Sequence, residues 1–201
     1  MLDAIICPEW EFRYYSFNSK WSAGEEMASM RTGEGDHWFA LFFAPGAALH
    51  GLAHEAPMYR QDKPWPGIWE SLPKQLLAFR NEPAFDTANS TFCIWRKNRD
   101  TRWHVGDIEY PKGDDPDGSE RLLWILDGSP ATYHMWAEHY YGRKIELDAV
   151  ERIYRHEPLD RQLVGALNPD VTLKTLRADI EEIGYPQSKA RTVSTRRKRQ
   201  R

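Results

Sequence analysis

The chain has 201 residues, of which 41% are hydrophobic and 28% charged. This is the length of one domain or of two small ones, and the composition excludes collagen-like, fully disordered and membrane-embedded classes. The formal net charge of −3 conceals an asymmetry. Seven of the 27 basic residues and none of the 30 acidic ones fall in 186–201, which leaves 1–185 with 20 basic against 30 acidic residues, a net charge of −10.

In chain order, Trp10, Phe12 and Tyr14 alternate with polar neighbours in Trp10–Phe17, which predicts a strand with these rings on one face. Ser22 to Gly35 reads as a short helix or loop. Trp38 to Phe43 is apolar without interruption, as in a central strand covered on both faces. Pro45-Gly46 supplies a tight turn, and Leu49 to His54 its returning partner. Trp65 to Phe79 places Ile68, Trp69, Leu72, Leu76 and Phe79 at helical spacing, with a kink or restart at Pro73. Thr91–Lys97 and Arg102–Tyr110 form a hairpin. In its second strand Trp103 and Val105 have one parity and Ile108 and Tyr110 the other, which predicts a β-bulge at Gly106-Asp107.

From Ser119 onward the period is helical. Ser119 and Ser129 are N-cap candidates, and Pro130 suits the first position of a helix running to about Tyr141. Its buried face would be Tyr133, Trp136, Ala137 and Tyr140. Leu147, Val150, Ile153 and Tyr154 make the next stripe, flanked by the i,i+4 pairs Asp148/Arg152 and Glu151/Arg155. Asp160 caps a helix carrying Leu163, Val164 and Leu167, and Asn168-Pro169 ends it. Leu173, Leu176, Ile180 and Ile183 form the last stripe before Gly184. The expectation is one α+β domain over 1–185, an antiparallel sheet from the N-terminal half packed by helices mainly from the C-terminal half, followed by a basic, disordered tail over 186–201.

Chemistry-bearing motifs are sparse. His50 and His54, with Glu55 beside them, are the local candidates for metal ligands, yet no third ligand is placed by the sequence. His134 and Glu138 fit an i,i+4 hydrogen-bonded pair rather than a zinc motif. Asp114 to Glu120 gathers carboxylates without EF-hand spacing and reads as a helix-capping turn. Cys93 in a strand and Cys7 before Pro8 lack the setting that activates a thiol. Phosphate loops, dinucleotide fingerprints and nucleophile elbows are missing. No cofactor is therefore expected.

The nine Trp, nine Tyr and eight Phe are mainly core fillers, but Trp21, Trp65 and Trp103 sit in polar or proline-flanked settings suited to anchoring a protein partner. The tail residues Arg196, Arg197, Lys198, Arg199 and Arg201 could make weak, salt-sensitive contacts with nucleic acid. The nine residues Ser71–Phe79 resemble the Leu-Pro helix of the SUKH immunity superfamily; neither fold nor function is carried over from so short a stretch. The functional expectation is a non-enzymatic interaction module, immunity- or antitoxin-like, whose acidic body neutralises a basic protein partner. Its alternatives are a metal-assisted hydrolase built on the histidine cluster and a nucleic-acid-associated protein acting through the tail. With no membrane span of roughly 18–20 apolar residues and no basic secretory start, the expected setting is the cytoplasm, with no membrane contact and reduced thiols.

Overall fold

The computed structural model describes residues 1–187. Six strands form one antiparallel meander in sequence order: β1 (Tyr15–Ser22), β2 (Glu25–Arg31), β3 (His37–Phe43), β4 (Gly46–Leu52), β5 (Phe92–Lys97) and β6 (His104–Val105). Helices α1 (Leu2–Ile6) and α2 (Leu77–Arg80) are short. The others, α3 (Ser119–Leu123), α4 (Pro130–Tyr141), α5 (Leu147–Tyr154), α6 (Arg161–Leu167) and α7 (Arg177–Ile183), all belong to the C-terminal half. The α+β arrangement expected from the pattern is the one observed. No helix among the described residues is long and apolar enough to cross a membrane.

Register assigns the sheet two faces. Tyr15 pairs with Met30, Met30 with Trp38, Trp38 with Gly51, and Gly51 with Phe92, so these positions share one face. It packs on Leu122 of α3 and adjoins a helical core built from Ile5, Ala137, Val150, Leu163, Leu167 and Leu176. On the opposite face, Leu41, Ala48, Cys93 and Trp95 pack against Met58, Ile68, Leu72, Leu76, Phe79 and Phe85 from the long connection between β4 and β5. That connection is mostly turns and 3-10 segments around α2.

Local chemistry explains the elements that match. The Ser129 side chain accepts from the Thr132 N–H, Pro130 stands at the first position, and Gly142 closes α4 in the left-handed conformation at φ 61°. The Asp160 carboxylate accepts from the Leu163 N–H at 2.8 Å and starts α6. On α5 the Glu151–Arg155 pair forms at 3.5 Å. Arg152, however, turns to Glu157 at 2.8 Å rather than to Asp148.

Several expectations are corrected. Trp10–Phe12 is a 3-10 turn and not the start of a strand. The stretch Ser22 to Gly35 contains β2, paired on both sides. Within Trp65–Phe79 the five apolar residues are all buried, but only Lys74–Leu76 and the beginning of α2 are helical, because Pro66, Gly67 and Pro73 interrupt the backbone. The N-cap of α3 is Gly118 instead of Ser119. There is no bulge at Gly106, since β6 ends at Val105. The glycine serves a close crossing of two chain segments: a Cβ on Gly106 would lie 1.9 Å from the Gly67 carbonyl oxygen, and one on Gly67 1.8 Å from that of Asp107. Finally, Pro186 and Gln187, expected in the tail, pair with Leu159: its N–H donates to the Pro186 carbonyl at 3.1 Å, and a parallel bridge joins it to Gln187.

Candidate functional site: an acidic aromatic turn at the mouth of a cleft

Between α1 and β1 the chain must reverse over a few residues, and Arg13 fixes how it does so. This buried arginine donates from Nε to the Cys7 carbonyl at 2.9 Å and from Nη2 to the Pro8 carbonyl at 2.7 Å, while Nη1 pairs with Asp179 of α7. Charge-assisted bonds of this kind, shielded from solvent, are stronger than neutral ones. The clamped backbone presents Glu9, Trp10, Glu11 and Phe12 outward, with Trp10 53% and Phe12 63% exposed. The Arg31 guanidinium lies 4.1 Å from the centre of the Trp10 ring, a cation–π contact that orients the indole. Two carboxylates and two large rings are thus displayed on a held backbone.

Trp10 also borders a cleft of about 510 Å³ between β1–β3 and the helical layer. Tyr15, Phe17 and Trp38 contribute from the sheet, and Tyr133, Ile153 and Tyr154 from α4 and α5. Asp3 is the buried carboxylate of this wall. It accepts from the Tyr133 hydroxyl, from the Tyr141 hydroxyl at 2.9 Å and from the Tyr15 backbone N–H at 2.7 Å. Burial pushes its pKa above the usual carboxylate range in spite of these donors. Asp3 therefore ties α1, β1 and α4 together through three protein donors.

The anchors expected from the sequence are placed differently. Trp21 is half-buried and stacks on Phe85, with ring centres 5.7 Å apart. Trp65 is half-buried and donates from Nε1 to the Glu109 carbonyl at 3.1 Å. Both pack against the core of the second sheet face. Trp103 is 43% exposed, with the Arg96 guanidinium 5.9 Å from its ring centre.

The histidines do not converge. His50 is fully buried among Phe39, Trp69, Phe79 and Phe85, and its Nδ1 meets the Ser90 hydroxyl at 2.9 Å. Burial, with His37 beside it, lowers its pKa from 6.5 to about 3. His54 lies beyond the end of β4, with Nδ1 2.6 Å from Asp36, whose other oxygen holds Arg121 at 2.7 Å. Burial alone would raise the Asp36 pKa, but the His54 backbone N–H, Arg121 and the His54 ring together hold it below the ordinary value. Glu55 points to solvent. Among the described residues, no three His, Cys, Asp or Glu side chains are grouped as metal ligands.

The remaining motifs resolve into structure. Asp115 accepts from the N–H groups of Glu120 and Arg121, and Asp117 from that of Ser119, so the acidic run caps α3. His134 and Glu138, 3.8 Å apart, do not form the expected hydrogen bond: the His134 Nε2 instead meets the Ile145 carbonyl at 2.7 Å, and Glu138 accepts from the Ile145 N–H at 3.0 Å. Burial raises the Cys93 thiol pKa well above its ordinary value. The tail residues Arg196, Arg197, Lys198, Arg199 and Arg201 lie outside the described residues.

Comparison with protein-family models, with curated proteins and with solved structures returns no match to this chain. The site therefore rests on its own geometry. Sequence reasoning missed the exposure of Trp10 and Phe12 because their alternation with Glu9 and Glu11 imitates a half-buried strand.

Proposed function

We propose that this chain is a non-enzymatic interaction module whose acidic body binds a basic protein partner, as immunity and antitoxin-like proteins do. The observation that carries this reading is the Glu9-Trp10-Glu11-Phe12 turn, with two exposed rings and two carboxylates on a backbone clamped by Arg13. Exposed aromatic anchors of low conformational freedom dominate binding energy at interfaces, and fixing them beforehand reduces the entropy lost on association. The surrounding excess of acid, 30 carboxylates against 20 basic residues in 1–185, would accelerate encounter with a positively charged surface.

The test is affinity capture with the full chain from its native cell, followed by titration of the dominant partner. A basic protein should bind stoichiometrically and more weakly as salt rises. Changing Trp10 and Phe12 together to Ala should weaken it at least tenfold with little effect on thermal stability, and Glu9→Gln with Glu11→Gln should slow association. An acidic or absent stoichiometric partner, or affinity indifferent to both pairs of changes, would overturn the reading.

A further inference from the structure

We infer that the chain's own basic segment, residues 188–201, docks on the Glu9-Trp10-Glu11-Phe12 turn and competes there with the basic partner. The inference rests on the reading of that turn as an acidic docking surface and gives it a second occupant. Residues 188–201 carry seven basic side chains, four of them consecutive from Arg196 to Arg199, and no acidic one. On the turn, Glu9 and Glu11 make no ion pair among the described residues. The arginines beside them are engaged otherwise, Arg13 with Asp179 and Arg31 on the Trp10 ring.

The place where the described chain ends sets the reach. Pro186 and Trp10 line the same cleft. Pro186 and Gln187 are held by Leu159, whose N–H donates to the Pro186 carbonyl at 3.1 Å and which forms a parallel bridge with Gln187. The segment therefore leaves from a fixed point on the cleft that Trp10 borders. Arg196 stands nine residues beyond Gln187, a span of up to about 30 Å, more than the dimensions of a cleft of about 510 Å³. The cleft lining itself is of mixed charge, the Met1 amine, Arg13 and His156 with Asp3, Asp179 and Glu182, so the excess of acid that attracts the segment lies on the turn. Lysine and arginine pair with carboxylates, and guanidinium groups stack on ring faces; Trp10 at 53% and Phe12 at 63% exposure offer such faces. Each exposed contact is weak, but a short tether keeps the segment at an effective concentration of roughly millimolar, so millimolar affinity suffices to occupy the turn. A partner must displace the segment, and its apparent affinity falls by the fraction of turns occupied.

The test uses the full chain and a fluorescein-labelled synthetic peptide of sequence 188–201. Carbodiimide, which joins carboxylates to lysine amines in contact, should couple Lys189 or Lys198 to Glu9 or Glu11 within one molecule, at a yield independent of protein concentration. The peptide should bind the quadruple variant Arg196→Gln, Arg197→Gln, Lys198→Gln, Arg199→Gln at least fivefold more tightly than the unaltered chain. Adding Glu9→Gln and Glu11→Gln to that variant should remove the gain. Coupling only between molecules or only to other carboxylates, equal peptide affinity for the two chains, or a gain that survives the glutamate changes would each refute the inference. No partner protein enters these measurements, so the docked segment can fail while the captured partner still binds through the turn, and the partner can fail while the coupling within one molecule persists.

Discussion

One face of the sheet is closed by irregular chain and the other by helices, and the two closures leave different interiors. The connection between β4 and β5 packs its own Phe79 and Phe85 against the sheet, and both rings, with His50 of β4, are fully buried. Helices are rigid cylinders that meet a twisted sheet along limited lines of contact. Between the helical layer and β1–β3 lies the cleft of about 510 Å³. Irregular backbone, usually regarded as the loose part of a fold, here makes the sealed side, whereas the regular elements make the open one.

Truncation of one large ring on each face provides the sharpest contrast. Phe85→Ala should cost about 3–5 kcal/mol, as deletion of a buried aromatic does. Phe17→Ala, on the cleft, should cost about 1 kcal/mol, because its ring is already half exposed. Chemical denaturation reads both, and equal losses would erase the distinction between the faces.

The second contrast is in pH. His50 titrates near 6.5 when unfolded and at about 3 in the fold, so the unfolded chain binds the extra proton between these values. Its contribution is intact above pH 6.5 and is lost as pH falls toward 3, at about 1.4 kcal/mol per pH unit. His50→Leu should remove this slope, so that its stability deficit relative to the unaltered chain shrinks by about 2–3 kcal/mol between pH 7 and 4.5. A constant deficit would mean that His50 is not sealed in.

Next comes the chain crossing that closes the same face. Gly106→Ala should cost about 1–3 kcal/mol, the usual penalty of overpacking, because its methyl group would meet the Gly67 and Ile68 carbonyls. The smallest effect is expected at a helix end on the opposite side. Ser129→Ala should remove the cap of α4 and cost about 1 kcal/mol, measurable as a modest fall in Tm.

What was legible in the sequence follows the range of the interactions involved. The start of α4 is written in Ser129-Pro130 and its end in Gly142, all local signals, and these bounds were readable. β3 was readable for the same reason, through its apolar run, and a reversal after it through Pro45-Gly46, although the turn is Ala44-Pro45 and β4 begins at Gly46, three residues before the expected strand. β2 was not. Glu25-Glu26-Met27-Ala28-Ser29-Met30-Arg31 has little intrinsic strand preference and is extended because β1 and β3 pair with it on both sides. Residues 65–79 show the intermediate case, in which the buried set was correct and the element was not, since burial follows hydrophobicity whereas backbone form follows Pro and Gly. At the candidate site, Trp103 was legible as an exposed ring. Trp10 and Phe12 were not, because the turn that exposes them is held by the buried Arg13, whose partners, the Cys7 and Pro8 carbonyls and the distant Asp179, leave no mark in the local pattern.

That last contact has a consequence in time. Arg13 and Asp179 are separated by 166 positions, and at roughly 5–20 residues per second of synthesis the acid is made about 8–33 s after the arginine. Until then the chain from Cys7 to Phe12 lacks one of its three ties. The aromatic turn is written among the first residues of the chain, but it reaches its final form among the last, so a nascent chain cannot present the completed surface before α7 has been made.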